Sequence, residues 1–169
     1  MNPAMQPGPL SRATLAQGVA FLSSIDQDFA RIAAQLGHPP LWARQPGFPT
    51  LVNIILEQQV SLASARAAFI KLQARTLAIT LGTPGVTPAT FLTIADDELK
   101  AIGFSRQKTA YCRKLALLLL TNEIDLDALN ALDDPSARSA LMKIKGIGPW
   151  TADIYLLMVF HLRFSEVKP

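Results

Sequence analysis

The chain has 169 residues, 50% hydrophobic and 17% charged, with a formal net charge of +3. That length supports one sizeable core, and so apolar a composition excludes an intrinsically disordered chain. Collagen-like and low-complexity architectures are excluded too, because 9 Gly and 12 Pro follow no period. A single cysteine, Cys112, rules out a disulfide framework, a Cys-based zinc site and a four-thiolate iron–sulfur cluster within this chain.

The most apolar run, Leu115 to Leu120, is far shorter than the roughly 20 residues a bilayer requires. The Pro- and Gly-rich start has no basic region followed by an apolar one, so it reads as a disordered leader over residues 1–11 rather than a secretory signal. A soluble, cytoplasmic protein without membrane contact is expected. Charge is unevenly placed. Residues 1–99 hold six basic and six acidic side chains, whereas residues 100–145 hold eight basic against five acidic, so the whole excess falls in one segment. Such a bias suits either a solvated face or an anion-binding one.

In chain order, Leu15, Val19, Leu22, Ile25, Phe29, Ile32 and Leu36 recur at helical spacing up to Gly37, a C-cap, and Pro39-Pro40, a stop. Pro49 opens the next helix, with Leu51, Ile54 and Ile55 facing inward. Ser61 caps a helix carrying Leu62, Ala65, Phe69 and Leu72. Residues 82–88 form the main internal loop. Thr87-Pro88 and Asp134-Pro135 each pair a capping residue with a helix-opening Pro, Gly103 closes a short helix, and Ser105 caps a long one from Arg106 to about Leu120. Strand alternation and hairpin turn signals are missing. The expectation is a single all-α domain of roughly eight to ten short helices over residues 12–169.

Residues 141–152 (Leu-Met-Lys-Ile-Lys-Gly-Ile-Gly-Pro-Trp-Thr-Ala) carry the chemistry. A helix from Pro135 to about Lys143 meets a second from Pro149 through a tight turn with Gly146 and Gly148. Glycines on both sides of one apolar residue permit a sharp turn and close approach of a partner. Pro149 needs no hydrogen-bonded N–H at a helix start. The free N–H groups of that first turn, with the positive dipole end and Lys145 nearby, suit an anion such as a DNA phosphate. Ile147 is expected to be buried. The plainer alternative is an ordinary glycine-containing helix–helix turn.

This pattern resembles the helix–hairpin–helix of the DNA glycosylase superfamily, and within it the bacterial 3-methyladenine DNA glycosylase II branch. Two further stretches carry the likeness: Phe48-Pro-Thr-Leu-Val-Asn-Ile-Ile-Leu-Glu-Gln-Gln-Val-Ser61 and Ile102-Gly-Phe-Ser-Arg-Gln-Lys108. The resemblance runs from about Leu15 to Phe160 in matching order. It implies a helix–hairpin–helix glycosylase bundle acting on double-stranded DNA with damaged bases, as a monomer. It implies that Gly146, Gly148 and Thr151 offer N–H groups to a phosphate, and that the carbonyls of Met142, Ile144 and Ile147 can hold a monovalent cation, the single cofactor expected. Gln58 and Gln59 would wedge into the gap left by an extruded nucleotide, or else form a solvent-exposed polar turn. Ser105 and Lys108 would add DNA contacts.

Glycosylases that also cut the strand have a Lys where this chain has Trp150, because an amine is needed for a Schiff base. An indole can instead stack on a cationic alkylated purine. The resemblance therefore implies monofunctional hydrolysis of the N-glycosidic bond, unless Trp150 is plain core filler. Tyr155 and Trp42 are further aromatic candidates for the base pocket. The sequence departs from the family at its end: the family's catalytic Asp is expected just beyond Pro169, together with the last helices. Asp153 does not match the catalyst's position, and Glu166 is near the end of the tail. A second expectation is accordingly a catalytically dead, truncated DNA-binding module.

Overall fold

Side-chain caps set where six of the nine described α-helices begin. The structure, a computed structural model, describes residues 10–81 and 85–161. Most of the proposed leader, part of the 82–88 loop and Glu166 lie outside the described residues. The helices are α1 (Arg12–Ile25), α2 (Gln27–Leu36), α3 (Phe48–Glu57), α4 (Leu62–Ile79), α5 (Pro88–Thr93), α6 (Asp96–Ile102), α7 (Arg106–Leu120), α8 (Asp134–Met142) and α9 (Pro149–Phe160), with a short 3-10 turn at Ala128–Ala131. Among the described residues the fold is all-helical, and no helix is long and apolar enough to cross a membrane.

Ser11, Ser61, Thr87 and Ser105 each accept a backbone N–H from three residues on, which satisfies a donor that a helix start leaves unpaired. α8 is capped by Asp133, one residue earlier than the Asp134 expected, and Pro135 falls in its first turn. The stretch from Leu15 to Leu36 is two helices. Asp26 accepts from the N–H groups of Asp28 and Phe29 and so starts α2 inside the periodic run. Its carboxylate supplies a local alternative to helix continuation that hydrophobic spacing does not reveal.

α3 occupies the centre. Seven of its ten residues are buried, and it packs on α4, α7 and α9. Leu51, Ile54 and Ile55 are fully enclosed, each worth about 1.5–3 kcal/mol of burial. Phe91 links Phe48 and Phe104 at centroid distances of 5.7 and 5.6 Å. Arg113 ties α7 to the α5–α6 turn through Asp96 and the carbonyls of Leu92 and Ile94. α1 and α2 pack on each other and bury no residue, leaving Phe21, Ile25, Phe29, Ile32 and Leu36 exposed. The Leu10 N–H donates to the His161 carbonyl at 2.8 Å, which joins the start of α1 to the end of α9.

Candidate nucleic-acid interface

α8 and α9 pack on each other as two arms joined by residues 143–148. Ile144 and Ile147 turn inward and are buried, and the Ile147 N–H donates to the Ile144 carbonyl at 3.0 Å. Gly146 between them has φ +96°, a backbone state that L side chains rarely adopt. The ring of Tyr111 rests on its Cα face. Across the base of the hairpin, Arg138 on α8 donates to Asp153 on α9 at 2.6 and 3.3 Å. That bidentate pair locks the arms together and holds the guanidinium pKa above its ordinary value through the hydrogen bond to Asp153.

This turn is rich in unpaired donors. The N–H groups of Gly146, Gly148, Trp150 and Thr151 have no acceptor among the described residues, whereas Ala152 N–H already closes on the Gly148 carbonyl. Gly148 is exposed, with open space where a Cβ would stand, and the α9 dipole begins there. Lys143 and Lys145 are exposed and form no ion pair with a described residue. Unpaired donors, the positive end of the α9 dipole and two exposed lysines give this turn a positive electrostatic character.

The other two stretches singled out in the sequence converge on the same place. Gln58–Val60, the residues Ser105, Gln107 and Lys108, and the hairpin line one open groove of about 990 Å³, with Trp150 at its rim and 59% exposed. Gln58 donates through Nε2 to the Gly146 carbonyl at 3.1 Å and to Thr151 Oγ1 at 3.0 Å. Gln59 is exposed at φ +56° and makes no side-chain hydrogen bond with a described residue. Lys108 donates from Nζ to the Leu56 carbonyl at 2.7 Å, which caps the end of α3. Burial holds its pKa below the usual lysine value and pushes the neighbouring Cys112 thiol up to about 12. Ser105 serves as the α7 cap at the groove's edge.

Two expected residues stand elsewhere. Tyr155 is fully buried and does not line this groove, and its Oη accepts the Gly47 N–H at 3.0 Å. Burial pushes its phenol pKa up. Trp42 is 67% exposed on the irregular 37–47 segment and does not line the groove. Met142 and Ile147 keep their carbonyls at the hairpin turn, whereas the Ile144 carbonyl already accepts the Ile147 N–H.

Sequence reasoning missed Glu57, Gln107 and Tyr111, all of which line the groove. Tyr111 was findable: it follows Lys108 by three residues and therefore shares its helix face. Glu57 is the groove's carboxylate, and Arg44 neutralises it at 2.8 Å. Asp153 is likewise engaged, by Arg138. Neither of these carboxylates is a free anion.

Residues 52–161 match the model of the HhH-GPD superfamily of base excision DNA repair proteins, and the chain belongs to that family. It is 33% identical over 116 residues to endonuclease III of Sulfolobus acidocaldarius, covering 69% of this chain and 49% of that protein. It is also 33% identical over 72 residues to a DNA-3-methyladenine glycosylase of Bacillus subtilis, covering 43% of this chain and 23% of that protein. The chain thus spans about half of the first relative and about a quarter of the second. In fold it is similar to the Schizosaccharomyces pombe 3-methyladenine DNA glycosylase in complex with abasic DNA, at TM-score 0.71 and 22% identity, over 85% of this chain and 69% of that one.

Proposed function

We propose that this chain is the DNA-engaging body of a monofunctional DNA glycosylase of base excision repair, acting on alkylated purines of the 3-methyladenine type in double-stranded DNA. The observation that carries the reading is the row of unpaired N–H groups at Gly146, Gly148, Trp150 and Thr151, with Lys145 beside it. These donors hold a backbone phosphate of the damaged strand. The turn at Gln58-Gln59 enters the gap that the extruded nucleotide leaves. Trp150 presents an exposed π-face to the base, and a purine made cationic by alkylation is drawn to it more strongly than a neutral one. Relatives named as 3-methyladenine glycosylases support that choice of lesion.

No amine stands at position 150, so a Schiff base cannot form there, and the reaction is hydrolysis of the N-glycosidic bond. Positive charge that develops on the sugar calls for a free carboxylate. Glu57 is paired with Arg44 and Asp153 with Arg138, so neither is offered as that catalyst. A monovalent cation on the turn's carbonyls would add charge toward the phosphate; the carbonyls of Met142 and Ile147 fit that role better than the engaged carbonyl of Ile144.

The paired state of these carboxylates favours a second reading, a DNA-binding module without chemistry of its own. Incubation of the protein with alkylated duplex DNA separates the two readings. Release of free methyladenine supports the enzyme; salt-dependent binding with no release supports the module. Binding indifferent to salt overturns both, because phosphate contacts must release counterions.

A further inference from the structure

We propose that Gln58 is a positioning residue that clamps the 58–60 turn to the hairpin, so that phosphate capture and insertion at Gln59 act as one rigid unit. The proposal rests on the DNA-binding reading above and divides two adjacent, identical residues between different tasks.

Both hydrogens of the Gln58 carboxamide are engaged, and both acceptors belong to the hairpin region, 88 and 93 residues further along the chain. The Gly146 carbonyl can only accept, so it fixes which end of the amide faces it. Thr151 Oγ1 stands in the first turn of α9, directly on the residue whose N–H is unpaired. The clamp therefore joins the turn to two residues whose own N–H groups have no acceptor among the described residues. From the other side, Lys108 Nζ holds the Leu56 carbonyl and the Gln58 N–H closes on the Ile55 carbonyl at 3.3 Å. The turn is pinned to α3, α7 and the hairpin together. Gln59 differs on every count, being exposed, in left-handed backbone and without a side-chain partner among the described residues. A turn held on three sides keeps that unusual backbone state ready, where a loose turn would relax it.

A merely solvated turn would not respond as a clamp does. Binding is measured on two duplexes, one undamaged and one with a stable abasic-site analogue, and the ratio of the two dissociation constants is the readout. Gln58→Met keeps the length and removes both donors; the ratio should fall by about tenfold or more, since two hydrogen bonds are lost. Thr151→Val removes one of the two acceptors and should lower the ratio less. The double variant should be no worse than Gln58→Met, since the effects pass through one contact. Gln59→Ala should add fully to Thr151→Val. Gln58→Glu sets a carboxylate against the Gly146 carbonyl and should recover preference as pH falls and the acid gains a proton to donate.

If wild type shows no salt-dependent duplex binding, the functional reading fails and takes the clamp with it. If wild type binds and prefers the abasic analogue while Gln58→Met keeps that preference, the clamp alone is overturned. Additive losses for Gln58→Met and Thr151→Val also overturn it. Should Gln58→Met not fold, as judged by circular dichroism, Thr151→Val and Gln58→Glu carry the same test.

Discussion

Tyr111 lies on the bare Cα of Gly146: a Cβ built there would stand 2.3 Å from the ring's Cδ2 atom. Two demands thus meet at Gly146, a left-handed φ of +96° and the absence of a side chain. Gly148, two residues on, has an ordinary φ of −88° and nothing within 4 Å of a built Cβ.

Alanine at these glycines should separate folding from binding. Gly146→Ala should cost about 2–5 kcal/mol in denaturant unfolding, from backbone strain and overpacking against Tyr111. Gly148→Ala should stay within about 0.5 kcal/mol of wild type in stability. Its methyl would stand in the proposed anion cradle, so duplex DNA affinity should drop about tenfold, as one charge-assisted contact is lost.

Lys145 tests the electrostatic part. Lys145→Gln should weaken binding to damaged and undamaged duplexes alike. It should also reduce the slope of log affinity against log salt by about 0.9, the share of one phosphate contact. An unchanged slope would remove Lys145 from the interface.

The hairpin, the caps and the inward face of α3 were legible in the sequence because each depends on a few neighbouring residues. Gly-Ile-Gly-Pro specifies its turn through local backbone geometry, and Ser61 and Ser105 cap within three residues. What escaped depends on distant neighbours. Tyr155 reads as a pocket aromatic until its hydroxyl is seen to accept the N–H of Gly47, 108 residues away. Gln58 reads as one half of a pair with Gln59 until its amide is seen to reach Thr151. The break at Asp26 was local and still missed, because the apolar period continues across it and only the carboxylate marks the new start.

Trp150 tests the base-binding role. Trp150→Ala should leave the melting temperature nearly unchanged, since the side chain is largely exposed. Preference for alkylated over undamaged duplex should fall by about ten- to a hundredfold, the range of one lost base–aromatic stack. Equal affinities for wild type and variant would return Trp150 to a purely structural role.

Cys112 gives a pH signature. Its thiol keeps its proton in the fold up to about 12, against 9.0 for an unperturbed thiol. Between those values the folded chain binds more protons than the unfolded one, so stability falls as pH rises across that window. Cys112→Ala should flatten that slope in unfolding curves taken from pH 9 upward. At pH 8 the native thiol should resist a disulfide reagent and react only on unfolding, because it is buried and neutral.

Amide-resolved NMR during titration with a duplex bearing an abasic-site analogue tests the proposed anion cradle most directly. The largest shifts should fall on the N–H groups of Gly146, Gly148, Trp150 and Thr151, and they should reverse with added salt. Saturation of the protein by the duplex with those four amides unmoved would contradict the account.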